Sequence, residues 1–223
     1  MNFVVIGDIH GRSIWKKICA KHLNSIDKII FLGDYVSSYS ISPEDQIWNL
    51  KEILSLKEQN KDKIVLLRGN HDIQHLGYPW AQCSGFESKV EEYLKHNSIR
   101  FLENTQFVYK YKNILFSHAG ISNTWLRNIK FKEGDIEKYI NNLPITENFG
   151  FISNNYYDFT GTSKTQSCTW IRPSALIDDL LLNYIQIVGH TTVKNITFLK
   201  NKLILCDALG VNQYLYNFDI CKI

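Results

Sequence analysis

The chain has 223 residues, of which 44% are apolar, and a formal net charge of +3. These values suit one globular α/β domain, and the small net charge argues against a dedicated nucleic-acid-binding protein, which usually has a clustered basic face. Its five cysteines form no close pair, so neither a disulfide framework nor a zinc knuckle is predicted. Because the sequence has no membrane-length apolar run and no signal-peptide pattern, we expect a cytoplasmic protein without membrane contact.

The first predicted element is a strand over Phe3–Ile6, which leads directly to Asp8 and His10. A helix is expected over residues 12 to about 23, and a second strand over residues 29–32 leads to Asp34. Continuous aliphatic and β-branched runs of this kind are typical of strands that are buried on both faces.

The next helix has a clear start signal, with Ser42 as N-cap, Pro43 at the first helical position and acidic residues after them. A third strand, over residues 64–67, then leads through a glycine to Asn70 and His71. Helical spacing of apolar residues returns at residues 86–94.

Two more strands end in a histidine. Residues 114–116 lead to His118, and residues 185–188 lead to His190. Open α/β sheets bind their ligands at the carboxyl ends of the strands, so we expect all these polar residues to meet at one edge.

The stretch 122–168 is polar and turn-rich, and it is expected to be a loop-rich excursion that shapes a substrate site. A short helix should follow Pro173, and hairpin strands are expected near 196–199, 202–206 and 213–218. With neither a linker nor a repeat in view, residues 1–223 are predicted to form a single domain.

The side chains that end these strands comprise two carboxylates, one amide and three imidazoles. Such mixed oxygen and nitrogen donors suit divalent ions, manganese first, with iron or zinc as alternatives. One carboxylate could bridge two ions roughly 3.5–4 Å apart, which would activate a shared water for attack on a phosphate ester. The six candidate ligands are Asp8, His10, Asp34, Asn70, His118 and His190.

Five short motifs occur in the order Gly-Asp-Ile-His-Gly, Gly-Asp, Gly-Asn-His-Asp, His-Ala-Gly and Gly-His-Thr. In this order they resemble the calcineurin-like metallophosphoesterases, over Gly7 to about Asp207. The last motif lacks a second histidine, which favours the phosphoprotein phosphatase branch, with bacteriophage lambda phosphatase and the bacterial diadenosine tetraphosphatases. The resemblance implies a four-layer α/β/β/α sandwich.

The resemblance also implies roles for individual residues. Asp8, His10 and Asp34 would hold one metal, and Asp34 would bridge to a second metal completed by Asn70, His118 and His190. His71 would protonate the leaving group. Arg172 would grip the substrate phosphate, because a planar guanidinium can engage two phosphate oxygens.

The second motif departs from the family pattern. Ser37 stands where a carboxylate usually orients the catalytic histidine, and Ser38 stands where a phosphate-binding arginine is usual. Loss of the carboxylate predicts that His71 is less well oriented and less basic. We therefore hypothesise a preference for aryl phosphates or phosphoanhydrides over phosphoserine. Arg12 is a candidate substitute for the arginine, although a role as a solvated helix residue is the simpler interpretation.

Three functions remain open at this stage. The first is hydrolysis of phosphate monoesters, on phosphoproteins or small molecules. The second is hydrolysis of dinucleoside polyphosphates or other nucleotides, for which Tyr35, Tyr39, Tyr156 and Tyr157 could stack a base. The third is a non-catalytic binding protein that retains the fold. The sequence gives no prediction of the oligomeric state.

Overall fold

The structure is a computed structural model that describes residues 1–153, 156–211 and 213–216, without the side chains of 152–157 and 216. The α-helices are α1 (Trp15–His22), α2 (Pro43–Gln59), α3 (Asn70–Gln74), α4 (Ser88–His96), α5 (Ser98–Asn104), α6 (Asn123–Asn128), α7 (Ile136–Asn141) and α8 (Pro173–Leu176). The strands are β1 (Phe3–Ile6), β2 (Lys28–Phe31), β3 (Ile64–Leu66), β4 (Val108–Tyr111), β5 (Ile114–Ser117), β6 (Ile152–Ser153), β7 (Tyr156–Tyr157), β8 (Ile185–Val188), β9 (Thr197–Leu199), β10 (Leu203–Leu205) and β11 (Leu215–Tyr216).

Two larger sheets carry most of these strands. The first has the order β11-β1-β2-β3, with β1, β2 and β3 parallel to one another. The second has the order β4-β5-β8-β10-β9, with β5, β8 and β10 parallel. Antiparallel strands lie at one edge of the first sheet and at both edges of the second. Strands β6 and β7 pair antiparallel in a separate two-stranded sheet.

The alternation of side chains along β1 places its two faces in different cores. Val4 and Ile6 pack in the apolar cluster that α1, α2, α4 and α5 cover. Phe3 and Val5 pack in the cluster between the two sheets, where the ring of Phe3 lies 5.4 Å from that of Phe116. The prediction of strands buried on both faces is therefore confirmed.

The outer face of the second sheet has its own cover. Val188 and Leu205 pack there against Leu176 of α8. Helices, two sheets and this outer layer make up the predicted four-layer α/β/β/α sandwich, which is confirmed.

Local predictions differ in accuracy. The start of α2 is confirmed, since the Asp45 N–H donates to Ser42 Oγ over 3.1 Å. The first helix is shorter than predicted and begins at Trp15. Of the strand expected over 213–218, the structure contains β11 (Leu215–Tyr216), and residues 217 and 218 lie outside the described part of the chain.

The stretch 122–168 contains more regular structure than its sequence predicts. It holds α6, α7 and a 3-10 turn, and it contributes Trp125, Ile140 and Phe149 to an apolar cluster. The ring of Phe149 stacks 3.8 Å from that of Phe107, next to β4. This stretch is thus packed onto the edge of the second sheet. Among the described helices, none has the length and apolar character needed to cross a membrane.

Candidate metal centre

The six candidate ligands meet where strands of the two sheets end. Asp8 and His10 follow β1, Asp34 follows β2, and Asn70 begins the helix after β3. His118 and His190 follow β5 and β8 of the second sheet. Five of the six line a cleft of about 550 Å³, and His118 lies fully buried beside them.

Asp34 belongs to two potential metal-binding groups. Asp8, His10 and Asp34 bring one donor atom each to within 4.8 Å of one another, and so do Asp34, His118 and His190. Asp34 Oδ2 lies 3.3 Å from His118 Nε2 and 3.9 Å from His10 Nε2. One carboxylate oxygen therefore lies between the two groups.

Each of the three imidazoles is oriented by a main-chain carbonyl. A ring N–H that donates to a carbonyl leaves the other ring nitrogen as a free electron-pair donor, as in most metal-bound histidines. The contacts are His10 Nδ1 to the Val36 carbonyl (2.9 Å), His118 Nδ1 to the Leu32 carbonyl (2.8 Å) and His190 Nε2 to the Trp170 carbonyl (3.0 Å).

The side-chain amide of Asn70 also has its potential ligand atom turned towards the centre. Its Nδ2 donates to Cys83 Sγ over 3.6 Å, so its oxygen faces the centre. Asn70 Oδ1 lies 3.0 Å from His118 Nε2, which places it with the second group.

The charges of the cleft fit divalent cations. Asp8, Asp34 and Asp207 are all buried, and Arg172 is the only lysine or arginine that lines the cleft in the described part of the chain. Burial raises the pKa of Asp8 well above its usual value, and the Asp207 carboxylate raises it further. Burial would lower the pKa of His118, but Asp34 and Asp8 raise it to about 10. Buried carboxylates need cationic partners, and divalent ions bound by the candidate ligands would supply that positive charge.

The main chain that carries Asp34 is held by Asp72. The Asp72 carboxylate accepts 2.8 Å hydrogen bonds from the N–H groups of Asp34, Tyr35 and Gly69. Asp34 itself has a positive φ of 50°, a conformation that non-glycine residues adopt only when their surroundings enforce it. Asp72 thus binds the local main chain and, through the Asp34 N–H, supports a candidate ligand.

Gly69 is required by a close approach. A Cβ at this position would lie 2.0 Å from Asp34 Oδ1. Asp34 Oδ1 also accepts a hydrogen bond from the His71 N–H (2.9 Å). The glycine thus lets the loop after β3 pass directly under the shared carboxylate.

Arg172 and His71 both lie on the cleft. Arg172 Nη1 donates to the His190 carbonyl (2.8 Å) and to Thr191 Oγ1 (3.1 Å). Burial lowers the pKa of Arg172, and the nearby carboxylates of Asp8 and Asp34 oppose that shift. The ring of His71 meets that of His10 edge-on, with 5.2 Å between centroids.

Gln74 lies next to His71 and to Ser37, the residue that stands in place of the usual carboxylate of the family. Gln74 Nε2 lies 3.0 Å from both His71 Nδ1 and Ser37 Oγ. The prediction of a poorly oriented His71 is therefore wrong, because an amide replaces the carboxylate as its partner. Burial lowers the pKa of His71 to about 4, and Asp34 opposes this shift. The main cause of the low basicity is therefore burial, and not the loss of the carboxylate at position 37. The three-residue spacing of His71 and Gln74, which shares a helix face, was the missed signal.

Ser38, the second altered position, supplies no positively charged side chain to the site. Its main-chain N–H donates to Gln46 Oε1 over 3.0 Å. Arg12, the candidate substitute, points its Nη1 at the carbonyls of Asp8 (3.4 Å) and Ile9 (3.3 Å) and is not among the residues that line the cleft.

The aromatic candidates for base stacking divide clearly. Tyr35 is fully buried and donates to the Leu67 carbonyl (2.9 Å), so it cannot stack on a ligand. Tyr39 is 84% exposed but lines a neighbouring groove. The side chains of Tyr156 and Tyr157 lie outside the description. Phe159, which the sequence did not single out, lines the cleft itself and is 61% exposed.

Comparison with known proteins decides the family. The sequence profile of calcineurin-like phosphoesterases matches residues 1–194. The chain belongs to the calcineurin-like phosphoesterase family. A comparison with curated proteins finds no match. The resemblance to this family that the motifs indicated is thereby confirmed, and with it metal-dependent hydrolysis of phosphoesters.

Two solved structures show the shared fold. A cold-active protein-tyrosine phosphatase of a psychrophilic Shewanella species is 17% identical, with a TM-score of 0.59 over 95% of this chain and 72% of that one. A protein serine/threonine phosphatase from Saccharomyces cerevisiae, with similarity to human phosphatase PP5, is 15% identical, with a TM-score of 0.56 over 92% of this chain and 66% of that one.

Proposed function

We propose that this phosphoesterase uses two divalent ions, manganese first, to hydrolyse phosphate monoesters of phosphoproteins or small molecules. The observation that supports a dinuclear centre is the position of Asp34, whose carboxylate belongs to both ligand groups. Asp8 and His10 would complete one ion's ligands, and Asn70, His118 and His190 the other's. When bound, such a pair of ions lowers the pKa of a shared water and neutralises the charge of the phosphoryl group.

The remaining roles belong to side chains on the cleft. Arg172 is held by one nitrogen of its guanidinium, which leaves other donors for two phosphate oxygens. His71 has one ring nitrogen engaged by Gln74, and we assign the other to the leaving-group oxygen. These contacts would position the phosphate between the metal centre and the leaving group.

Phe159 supports substrates with an aromatic group next to the phosphate. An apolar ring that is 61% exposed on the cleft offers a surface for an aryl leaving group. The name of the Shewanella protein, a protein-tyrosine phosphatase, makes phosphotyrosine a reasonable first substrate. The same ring could stack a base, so nucleotides remain the second candidate.

We also place the protein in the cytoplasm. The cysteines that the structure describes, Cys19, Cys83, Cys168 and Cys206, are free thiols, which suits a reducing compartment.

The function is tested by hydrolysis of p-nitrophenyl phosphate with manganese, iron, zinc or magnesium. We expect metal-dependent turnover that falls by about 10²-fold or more in Asp34→Asn, since even the outer partners of metal ligands are worth about 10–100-fold. His96→Asn, at an exposed helix end away from the cleft, is the matched control and should keep full activity.

A folded wild-type protein that hydrolyses no phosphate ester with any of the four metals would contradict the proposal. If it still bound phosphorylated ligands, the non-catalytic alternative would replace it.

A further inference from the structure

The side chain of Gln74 has a defined orientation. It is buried, and its Oε1 accepts a hydrogen bond from the Cys83 N–H over 3.1 Å. Its Nε2 donates to the Ser84 carbonyl over 3.1 Å. If the amide were flipped, an NH₂ group would face the Cys83 N–H, and an oxygen would face the Ser84 carbonyl. Two main-chain groups therefore fix which end of Gln74 is the donor.

This orientation determines the proton position on His71. Gln74 Nε2 shares its two hydrogens among His71 Nδ1 (3.0 Å), Ser37 Oγ (3.0 Å) and the Ser84 carbonyl (3.1 Å). Because an amide nitrogen cannot accept, a hydrogen on His71 Nδ1 would point at an NH₂ group, so this contact favours an Nδ1 without hydrogen. The Cys83 thiol lies 3.9 Å from the same nitrogen and can donate its hydrogen to an unprotonated Nδ1. The neutral imidazole then has its hydrogen on Nε2.

An amide partner and a carboxylate partner differ in whether they allow His71 to give up its Nε2 proton. A carboxylate would accept a hydrogen from Nδ1 and stabilise an imidazolium, which can give its Nε2 proton away and remain neutral. With Gln74 as partner, loss of the Nε2 proton would leave an imidazolate. His71 can therefore donate a hydrogen bond to the departing oxygen without transferring its proton.

We propose that Gln74 is a positioning residue that fixes His71 as its Nε2–H tautomer and thereby adapts the enzyme to good leaving groups. The leaving oxygen departs as an anion when the P–O bond breaks, and it takes its proton from solvent afterwards. Aryl phosphates and phosphoanhydrides tolerate this step, whereas alkyl phosphates such as phosphoserine do not. This inference rests on the proposed phosphoester hydrolysis for its substrate class, but not for the tautomer.

The tautomer is tested by ¹⁵N NMR of histidine-labelled, zinc-loaded protein, with His71→Gln to assign the signals. We expect the His71 signals of an unprotonated Nδ1 and a protonated Nε2. Gln74→Glu keeps an acceptor for the Cys83 N–H, although its second oxygen loses the hydrogen bond to the Ser84 carbonyl. That oxygen offers His71 Nδ1 an acceptor, so hydrogen should shift onto Nδ1. A wild-type His71 with hydrogen on Nδ1 would overturn the proposal.

The substrate class is tested by kcat/KM on a series from nitrophenyl phosphates to alkyl phosphates. Gln74→Glu should raise the rate on alkyl relative to aryl esters by about 10–100-fold, below the ~10²–10⁴-fold ceiling of general-acid catalysis. Gln82→Glu, which adds the same charge at an exposed neighbouring residue, should leave this ratio unchanged.

The outcomes separate the two proposals. An equal change on every ester in Gln74→Glu would mean that Gln74 is merely structural and would overturn this inference. A wild type that hydrolyses no ester would instead contradict the proposed function and the substrate class, while NMR would still decide the tautomer.

Discussion

Arg172 has the clearest individual role among the side chains outside the ligand set. Among the described residues that line the cleft it is the only lysine or arginine, and the usual second arginine is replaced by Ser38. Arg172→Gln should therefore remove the main phosphate contact. A charge-assisted hydrogen bond is worth about 1.5–3 kcal/mol, so kcat/KM should fall by about 10–150-fold. Steady-state kinetics on p-nitrophenyl phosphate measures this loss.

The matched control is Arg127→Gln, whose guanidinium contacts Thr124 Oγ1 on α6. It should keep its activity. Equal losses in the two variants would show that Arg172 acts only through folding, and no loss in Arg172→Gln would remove it from phosphate binding.

At the scale of single residues, the sequence was most informative about groups with distinctive chemistry. The carboxylates and imidazoles after the strands were predicted together, and the structure brings them together. The roles of Gln74 and Asp72 could not be predicted from the sequence, because an amide or carboxylate on a short helix can bind main chain, side chains or solvent. Only the positions of Ser37, His71 and the Asp34 main chain reveal what they bind.

The loop after β2 and the start of α3 depend on one another through Asp72. Its two oxygens accept from three N–H groups, a task that one amide oxygen and an NH₂ group cannot fulfil. In Asp72→Asn, at least one buried donor loses its partner, so the free energy of unfolding should fall by about 1–3 kcal/mol. Urea denaturation measures this change in the metal-free protein.

Asp178→Asn provides the comparison, because this exposed carboxylate lies 3.8 Å from the equally exposed Lys200. An exposed ion pair contributes at most ~1 kcal/mol, so this variant should stay close to wild type. If Asp72→Asn were as stable as Asp178→Asn, the loop after β2 would have another support.

Elements with strong local signals were predicted well, and elements held by tertiary packing were not. Helix α2 begins where Ser42 and Pro43 place it, because N-capping is encoded within four residues. Helices α6 and α7 lie in a polar stretch, and their few apolar side chains gain stability by packing with residues such as Phe107. The sequence of 122–168 alone does not contain that partner.

At the scale of the whole molecule, the proposed metal centre joins the two sheets. Asp8, Asp34 and Asn70 come from the first sheet, and His118 and His190 come from the second. The motif order predicted the sandwich through family resemblance, but the contact between the sheets depends on pairs such as Phe3 and Phe116, which are distant in sequence. We propose on this basis that residues 1–223 fold as one cooperative domain.

Metal binding should therefore stabilise both sheets in one unfolding transition. At about 100-fold above its Kd, each bound ion adds ~2.7 kcal/mol, which for a chain of this length raises Tm by about 5–11 °C, and two ions raise Tm by about twice as much. Scanning calorimetry with and without manganese should show a single transition that moves by this amount. Asp8→Asn on the first sheet and His118→Asn on the second should each lose most of the shift, whereas the exposed-site variant His96→Asn should keep it. A full shift in His118→Asn would mean that the first sheet binds the metal alone, and two separate transitions would contradict a single domain.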